Sequence, residues 1–226
     1  MRLSLYRRHF ILATLAFSAV GICQVADAGL ASAAPAITRS GGRLVLVVGD
    51  SLSAEYGLKR GSGWVALLEQ QLKAEKMGVQ VVNASISGDT TSGGAVRLAA
   101  LLAQHKPTHV VIELGANDAL RGLPVALTQD NLAKMTQAAQ KAGAKVLLVG
   151  MQLPPNYGAE FGARFAGSFA TVAKANNAAL VPFMLQGVAD IPNSLALFQA
   201  DRVHPKAEAH PIILANIWPE LKKILK

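Results

Sequence analysis

Leu44-Val45-Leu46-Val47-Val48 runs straight into Gly49-Asp50-Ser51, and no other stretch restricts the fold as tightly. Five consecutive apolar residues, three of them valine, read as a strand covered on both faces. Such a strand belongs in a sheet with helices on either side. Gly49 and Asp50 end the strand and turn the chain, which leaves Ser51 at the strand's carboxyl end. Open α/β sheets keep their ligands at that edge. Taken alone, Ser51 has two readings: a hydroxyl that satisfies backbone groups in the turn, or a group that meets a ligand.

The same alternation continues along the chain. Trp64 to Leu72 has helical spacing and ends near Gly78. Val79 to Asn83 reads as a second strand, and Ser85 to Gly94 as a polar loop. A helix follows from about Ala95 to Gln104, closed by Pro107. His109 to Leu114 is a third strand, Thr128 to Lys141 a helix stopped by Gly143, and Lys145 to Val149 a fourth strand. A loop at 154–158, a helix at about 159–176 and a short strand, Ala179 to Val181, come next. After an irregular stretch, a last helix runs from about Lys206 or later, with Pro211 in its first turn and Pro219 at a bend. Strand and helix alternate throughout, so one α/β domain with a mainly parallel, five-stranded sheet is predicted.

The first 42 residues do not fit that pattern. Arg2, Arg7 and Arg8 precede an apolar run, Phe10 to Cys23, and small residues follow in Ala26-Asp27-Ala28 and Ala31-Ser32-Ala33. A basic start, a short apolar centre and A-x-A sites read as a secretory signal peptide. A membrane span needs ~20 apolar residues. Residues 1–28 are therefore expected to be a signal peptide and 29–42, rich in Ala, Ser and Gly, a disordered linker. Cleavage near Ala28 or Ala33 implies a periplasmic or secreted protein. Arg7-Arg8 also resembles a twin-arginine signal. Cys23 is the only cysteine in the chain, so after cleavage thiol catalysis and disulfides are excluded. The formal charge of +8 drops to +6 once three arginines and Asp27 are removed. A positive surface favours anionic membranes or acidic substrates. The lysines are scattered and aromatics are 5%, which argues against a nucleic-acid partner. Weak attraction to an anionic lipid surface is the expectation instead.

Three predicted strands end in polar clusters: Gly49-Asp50-Ser51, Asn83 onward to Gly88-Asp89, and Gly115-Ala116-Asn117-Asp118. A fourth cluster, Asp201-Arg202-Val203-His204-Pro205, precedes the last helix. Residues three apart on one turn share a face. The Asp201 carboxylate is then in reach of one ring nitrogen of His204, leaving the other to take a proton from Ser51. A hydroxyl nucleophile also needs donors for its oxyanion. Ser51 N–H, Gly88 N–H and the Asn117 side-chain amide are candidates. Each piece has a plainer reading: a surface pair for Asp201 and His204, a turn cap for Asn117, a turn glycine for Gly88. Their shared position at strand ends or before a helix is what the plainer readings leave unexplained. His105 and His109 read as structural, and His210 as partly exposed. HExxH, Walker A and G-x-G-x-x-G are absent, and no histidine pair has zinc-ligand spacing. Gly49-x-Ser51-x-Ser53 lacks the second glycine of the α/β-hydrolase elbow.

These four ordered blocks resemble those of the GDSL, or SGNH, hydrolases, in particular the bacterial periplasmic multifunctional acyl-CoA thioesterase/arylesterase/lysophospholipase members. Asn83-Ala84-Ser85-Ile86-Ser87-Gly88-Asp89-Thr90, Leu120-Arg121-Gly122 and Leu153-Pro154-Pro155-Asn156-Tyr157-Gly158 are similar to the loops of those members as well. The likeness covers residues 43–226. It implies a flavodoxin-like three-layer α/β/α sandwich and ester or thioester hydrolysis with neither metal nor cofactor, by a monomer. By position it makes Ser51 the nucleophile, His204 the general base, Asp201 its orienter, and Ser51, Gly88 and Asn117 the oxyanion hole. The segment Ala119, Leu120, Arg121, Gly122, Leu123, Pro124 resembles one that closes over the acyl chain, with Leu153 and Pro154 lining the groove. Two departures stand out: Ala116, where a second glycine is usual, and Glu55, where a glycine often stands and whose side chain is expected to alter the rim. A carbohydrate acetylesterase of the same fold and a non-catalytic lipid- or glycan-binding module are the competing expectations.

Overall fold

The computed structural model describes residues 42–226. The expected signal peptide, and all of the expected linker but its last residue, lie outside the described residues. Five parallel strands form one sheet: β1 (Arg43–Gly49), β2 (Val79–Asn83), β3 (His109–Glu113), β4 (Lys145–Val149) and β5 (Ala179–Val181). Their order is β2-β1-β3-β4-β5, the doubly wound order whose switch point falls between β1 and β3. β1 and β3 pair in the register Val45↔His109 through Gly49↔Glu113, so the chain leaves both strands at one edge.

Burial follows the sequence pattern. Val45–Val48 of β1 and Val110–Ile112 of β3 are wholly inaccessible, as continuous apolar runs in the centre of a parallel sheet must be. Helices α1 (Trp64–Ala74) and α6 (His210–Ile224) pack together on one face. On the other, α4 (Val125–Lys141) packs between α2 (Thr91–His105) and α5 (Ala159–Ala175). The result is the expected three-layer α/β/α sandwich.

Two helices depart from the predicted boundaries near the edge that matters. Helix α2 starts at Thr91 rather than near Ala95, with the Thr90 hydroxyl accepting from Gly93 N–H at 3.2 Å. Gly93 and Gly94 read as loop residues in the sequence. In the structure they are helical and small because of close approach. A Cβ on Gly93 would sit 1.9 Å from Asp89 Oδ1, and one on Gly94 2.3 Å from Leu114 Cδ1. The segment after β3 read as a loop, yet Ala116–Leu120 forms a one-turn helix, α3. Gly115, at φ +128°, starts it in a backbone region that only glycine enters freely. α6 runs on through Pro219 to Ile224.

Candidate active site

The turn after β1 sets the first group. Asp50 C=O accepts the N–H groups of Ser53 (3.2 Å) and Ala54 (2.9 Å), and Ser51 C=O that of Tyr56 (3.3 Å). This tight turn leaves the Ser51 side chain half-buried at the strand end. A second turn comes from the far end of the chain. Phe198 and Pro205 form an isolated antiparallel bridge. Gln199 N–H donates to His204 C=O at 2.7 Å, and Arg202 N–H to Gln199 C=O at 2.9 Å. Arg202 takes a left-handed φ of +59°, which folds Asp201 back over the turn. Asp201 Oδ1 then accepts from Val203 N–H (2.9 Å) and His204 N–H (3.0 Å), and its Oδ2 lies 2.7 Å from His204 Nδ1.

His204 Nε2 lies 2.9 Å from Ser51 Oγ. The backbone donors from His204 and Val203, then the imidazole, hold the Asp201 carboxyl down at about 2. Asp201 is thus an anion and accepts only. Nδ1 therefore carries the ring proton, and Nε2 is left to accept the serine's O–H. Ser51, His204 and Asp201 are thus linked by consecutive hydrogen bonds, the hydroxyl and the imidazole coming from positions 153 residues apart. The Tyr56 ring lies against the imidazole, with centroids 4.3 Å apart and planes tilted by 37°.

The three candidate oxyanion donors come to the same edge. The loop after β2 extends the β1 ladder, with Ala84 N–H on Val47 C=O (2.9 Å) and Ile86 N–H on Gly49 C=O (3.0 Å). Arg97, reaching down from α2, holds the loop by donating to Asp89 Oδ2 at 2.8 Å, to Ala84 C=O and to Gly49 C=O at 3.4 Å. Gly88 sits at φ +78°. Among the described residues, neither Ser51 N–H nor Gly88 N–H donates to any protein acceptor. Asn117 Nδ2 donates to Asp50 Oδ2 (2.9 Å) and to Asp89 C=O (3.0 Å), which ties it to both neighbours. Its helix is clamped by fully buried Asp118, which accepts Thr91 N–H at 2.9 Å and the Thr91 hydroxyl.

The segment proposed to close over substrate divides. Ala119 is buried at 3% exposure and belongs to the core, whereas Leu120 is exposed. Arg121 Nη2 donates to Gly88 C=O at 2.7 Å, so it directly touches the loop that carries Gly88. Gly122 takes φ +67°, Leu123 N–H donates to Asp118 C=O at 2.9 Å, and Pro124 caps α4. Leu153 and Pro154 line a separate groove of about 290 Å³ with Ala159, Gly162 and Ala163 of α5.

Several groups went unnoticed in the sequence. Behind Ser51, Trp64 Nε1–H donates to Ser53 Oγ (3.1 Å), and the Ser53 hydroxyl to Glu113 Oε2 (2.7 Å). Asp50 N–H also points at Glu113 Oε2, at 3.3 Å. Burial, then the neighbouring Asp50, pushes the Glu113 carboxyl well above its ordinary range. Burial likewise raises Asp50 to about 6. An acidic residue closing an otherwise apolar strand was the available signal. His210, expected to be partly exposed, is buried at 1%. Its Nδ1 accepts Trp64 N–H at 3.0 Å, capping α1. Glu55 takes φ +60°, and its carboxylate accepts the N–H groups of Gly61 and Gly63. Among the described residues, no group of three or more His, Cys, Asp or Glu side chains is placed to hold a metal ion.

A serine donating to an imidazole that a carboxylate orients, at the edge of a doubly wound sheet, defines an ester-bond serine hydrolase. The chain belongs to the GDSL-like lipase/acylhydrolase family, whose model matches residues 47–212. It is 53% identical to the Pseudomonas aeruginosa protein named Esterase TesA over 181 residues, which is 80% of this chain and 89% of that one. Against the Escherichia coli K12 protein named thioesterase 1/protease 1/lysophospholipase L1 the identity is 40%, over 80% of this chain and 84% of that one. Among solved structures, a crystal structure of TesA superposes with a TM-score of 0.77 at 52% identity, covering 80% of this chain and 99% of that chain. The psychrotrophic esterase EstA from Pseudoalteromonas, inhibited by monoethylphosphonate, superposes at 0.75 with 42% identity, covering 80% and 97%.

Proposed function

We propose that the chain is an exported esterase and thioesterase acting on aryl esters, acyl-CoA and lysophospholipids through an acyl-enzyme on Ser51. The observation that carries this is the Ser51–His204–Asp201 relay, at 2.9 and 2.7 Å. In this reading His204 Nε2 takes the Ser51 proton as Oγ bonds to the acyl carbon. The carbonyl oxygen becomes an oxyanion and is received by Ser51 N–H, Gly88 N–H and Asn117 Nδ2–H. Collapse breaks the bond to the leaving oxygen or sulfur, and His204 returns the proton to it. Water then attacks the acyl-enzyme by the same route, with His204 taking its proton and handing it back to Ser51. No step calls for a metal or an organic cofactor. Relatives named as arylesterase and as thioesterase 1/lysophospholipase L1 support the substrate range. The basic, apolar, small-residue order of residues 1–28 supports export to the periplasm or beyond.

Exposed Tyr56 lies against His204 and exposed Val203 precedes it, and Lys59, Arg60 and Arg202, all exposed, lie in the same two chain segments. This mixed rim supports contact with an anionic lipid surface. The deciding experiment compares wild type with Ser51→Ala on a p-nitrophenyl ester, an acyl-CoA and a lysophospholipid. Wild type hydrolyses all three and takes up one equivalent of a serine-directed phosphonate, whereas the variant does neither. Full activity in Ser51→Ala refutes the mechanism, and activity on acetylated sugars alone refutes the substrate class.

A further inference from the structure

Asp50 is almost fully buried, at 1% exposure, and has no part in the relay above. Its side chain nonetheless touches both the turn that carries Ser51 and the Asn117 amide. Its Oδ1 accepts Leu52 N–H at 3.0 Å, immediately after Ser51. Its Oδ2 accepts Asn117 Nδ2–H at 2.9 Å, from the helix after β3. Its own N–H is held on Glu113. The contacts with Asn117 and Glu113 cross the switch point between β1 and β3, where no strand hydrogen bond continues.

An amide nitrogen has two protons in one plane. Asp50 takes one, and the other rests on Asp89 C=O at 3.0 Å, beside Gly88. With the first proton anchored, the amide plane is held, and the second proton stays directed at Asp89 C=O, next to Gly88. An oxyanion, being a stronger acceptor than a carbonyl, then draws that proton from Asp89. Without the anchor the amide rotates freely about its terminal bond, which is a soft torsion.

We propose that Asp50 is the positioning residue of the oxyanion hole, its carboxylate locking the Asn117 amide to the turn that carries Ser51. The inference rests on Asn117 acting as an oxyanion donor, as read above. It requires the carboxylate, because a protonated oxygen no longer accepts the amide proton well. Buried Glu113 of β3, Asp89 of the loop after β2 and His204 are the titratable groups that face Asp50; burial raises it to about 6, against the pull of Leu52 N–H, His204 and the Asn117 amide, with Asp89 adding a smaller upward push. The anchor is therefore present at neutral pH and lost in mild acid.

The test is a double-mutant cycle on a p-nitrophenyl ester, with kcat and KM measured separately. Asn117→Ala lowers kcat by ~10²–10³, the cost of one oxyanion donor. Asp50→Asn places an amide donor against the Asn117 amide, and lowers kcat to a comparable degree with KM within about twofold, since only the transition state is affected. In the double variant the second change costs less than about threefold, because both act through one donor. A second arm needs no change at Asp50. The ratio of wild-type to Asn117→Ala kcat falls ~10-fold between pH 7.5 and 5, one unit below the Asp50 value, while pH effects common to both enzymes cancel in the ratio. An unaltered kcat in Asp50→Asn, losses that multiply in full, or a ratio flat with pH each overturn the positioning role while leaving Asn117 a donor. Wild-type kcat in Asn117→Ala removes the donor itself and with it this inference. If Asp50→Asn does not fold, the pH ratio decides alone.

Discussion

Replacing Asp201 by asparagine isolates the orienting role, because the change keeps the turn and reverses one hydrogen. The asparagine Oδ1 still accepts the backbone N–H groups of Val203 and His204, at 2.9 and 3.0 Å in wild type. Its NH₂ group then faces His204 Nδ1 across the 2.7 Å contact. Two donors cannot face each other, so the imidazole moves its proton to Nε2 and becomes a donor toward Ser51 Oγ. That tautomer cannot take the serine's proton. The amide can instead turn over and accept from Nδ1–H, but it forfeits two backbone hydrogen bonds of about 1 kcal/mol each. Roughly 2 kcal/mol leaves about one molecule in 30 competent. The negative charge beside the forming imidazolium is lost as well. Asp201 is 39% exposed, so solvent screens that charge and its loss costs a further factor of ~10–30 rather than the full value of a buried pair. The product is a fall of ~300–1000-fold in kcat/KM, short of the ~10⁴ found where a triad aspartate is buried. The assay is steady-state hydrolysis of a p-nitrophenyl ester at pH 8, with the fold checked by circular dichroism. Asp201→Ala imposes no wrong tautomer and is expected to be less damaging, at ~10². Asp201→Asn within tenfold of wild type, or a much worse Asp201→Ala, refutes the reasoning. Because Asp201 titrates near 2, it adds no break to the activity profile above pH 3.

Glu113→Gln separates the buried acid from its hydrogen bonds. The folded state raises the Glu113 carboxyl above its ordinary value of 4.5, so it keeps a proton that the unfolded chain releases, and stability falls as pH rises past that value. Glutamine still accepts from Ser53 and Asp50, so the melting temperature should match wild type at pH 4 and exceed it at pH 8, with Asp50 leaving a smaller slope of the same sign. A lower melting temperature for Glu113→Gln at pH 8 contradicts a neutral Glu113. In Gly49→Ala the new Cβ meets Ser53 Oγ at 2.7 Å and Glu113 Oε2 at 2.8 Å. The crowding costs ~1–3 kcal/mol, read by urea unfolding, and no loss means the turn relaxes freely. Arg97→Met keeps the aliphatic stem but frees the loop bearing Gly88, and a shift of about 1 Å there lowers kcat by ~10–100-fold; kcat equal to wild type excludes Arg97 as the loop's anchor.

Much of the fold was legible because each central strand is a continuous apolar run closed by turn residues. β1, β2, β4 and β5 match the predicted strands, and β3 is one residue shorter than predicted. The misread elements, α3 and the first turn of α2, involve glycines. Sequence treats Gly93 and Gly94 as turn formers, whereas here they leave room for Asp89 and Leu114. Nothing local to a glycine distinguishes those two uses. At the site, the Ser51, Asp201 and His204 grouping was legible because the spacing of three between acid and histidine is itself local. His210 was misjudged because its partner is Trp64 N–H, 146 residues away.

The chain's pattern by itself determined the layering, the edge at which Ser51 emerges and the types of group that meet there. Those follow from strand burial and turn chemistry, which act over a few residues. Only the tertiary structure decided how the groups are held: Asp50 on Asn117, Arg97 on the Gly88 loop, and the buried chain Trp64–Ser53–Glu113 behind Ser51. The Asp50–Asn117 and Ser53–Glu113 contacts join residues 67 and 60 apart in sequence, the Arg97–Asp89 and Trp64–Ser53 contacts residues 8 and 11 apart, and burial strengthens all four. A carboxyl raised to about 6 is unremarkable in the sequence and exists only because folding removes its water.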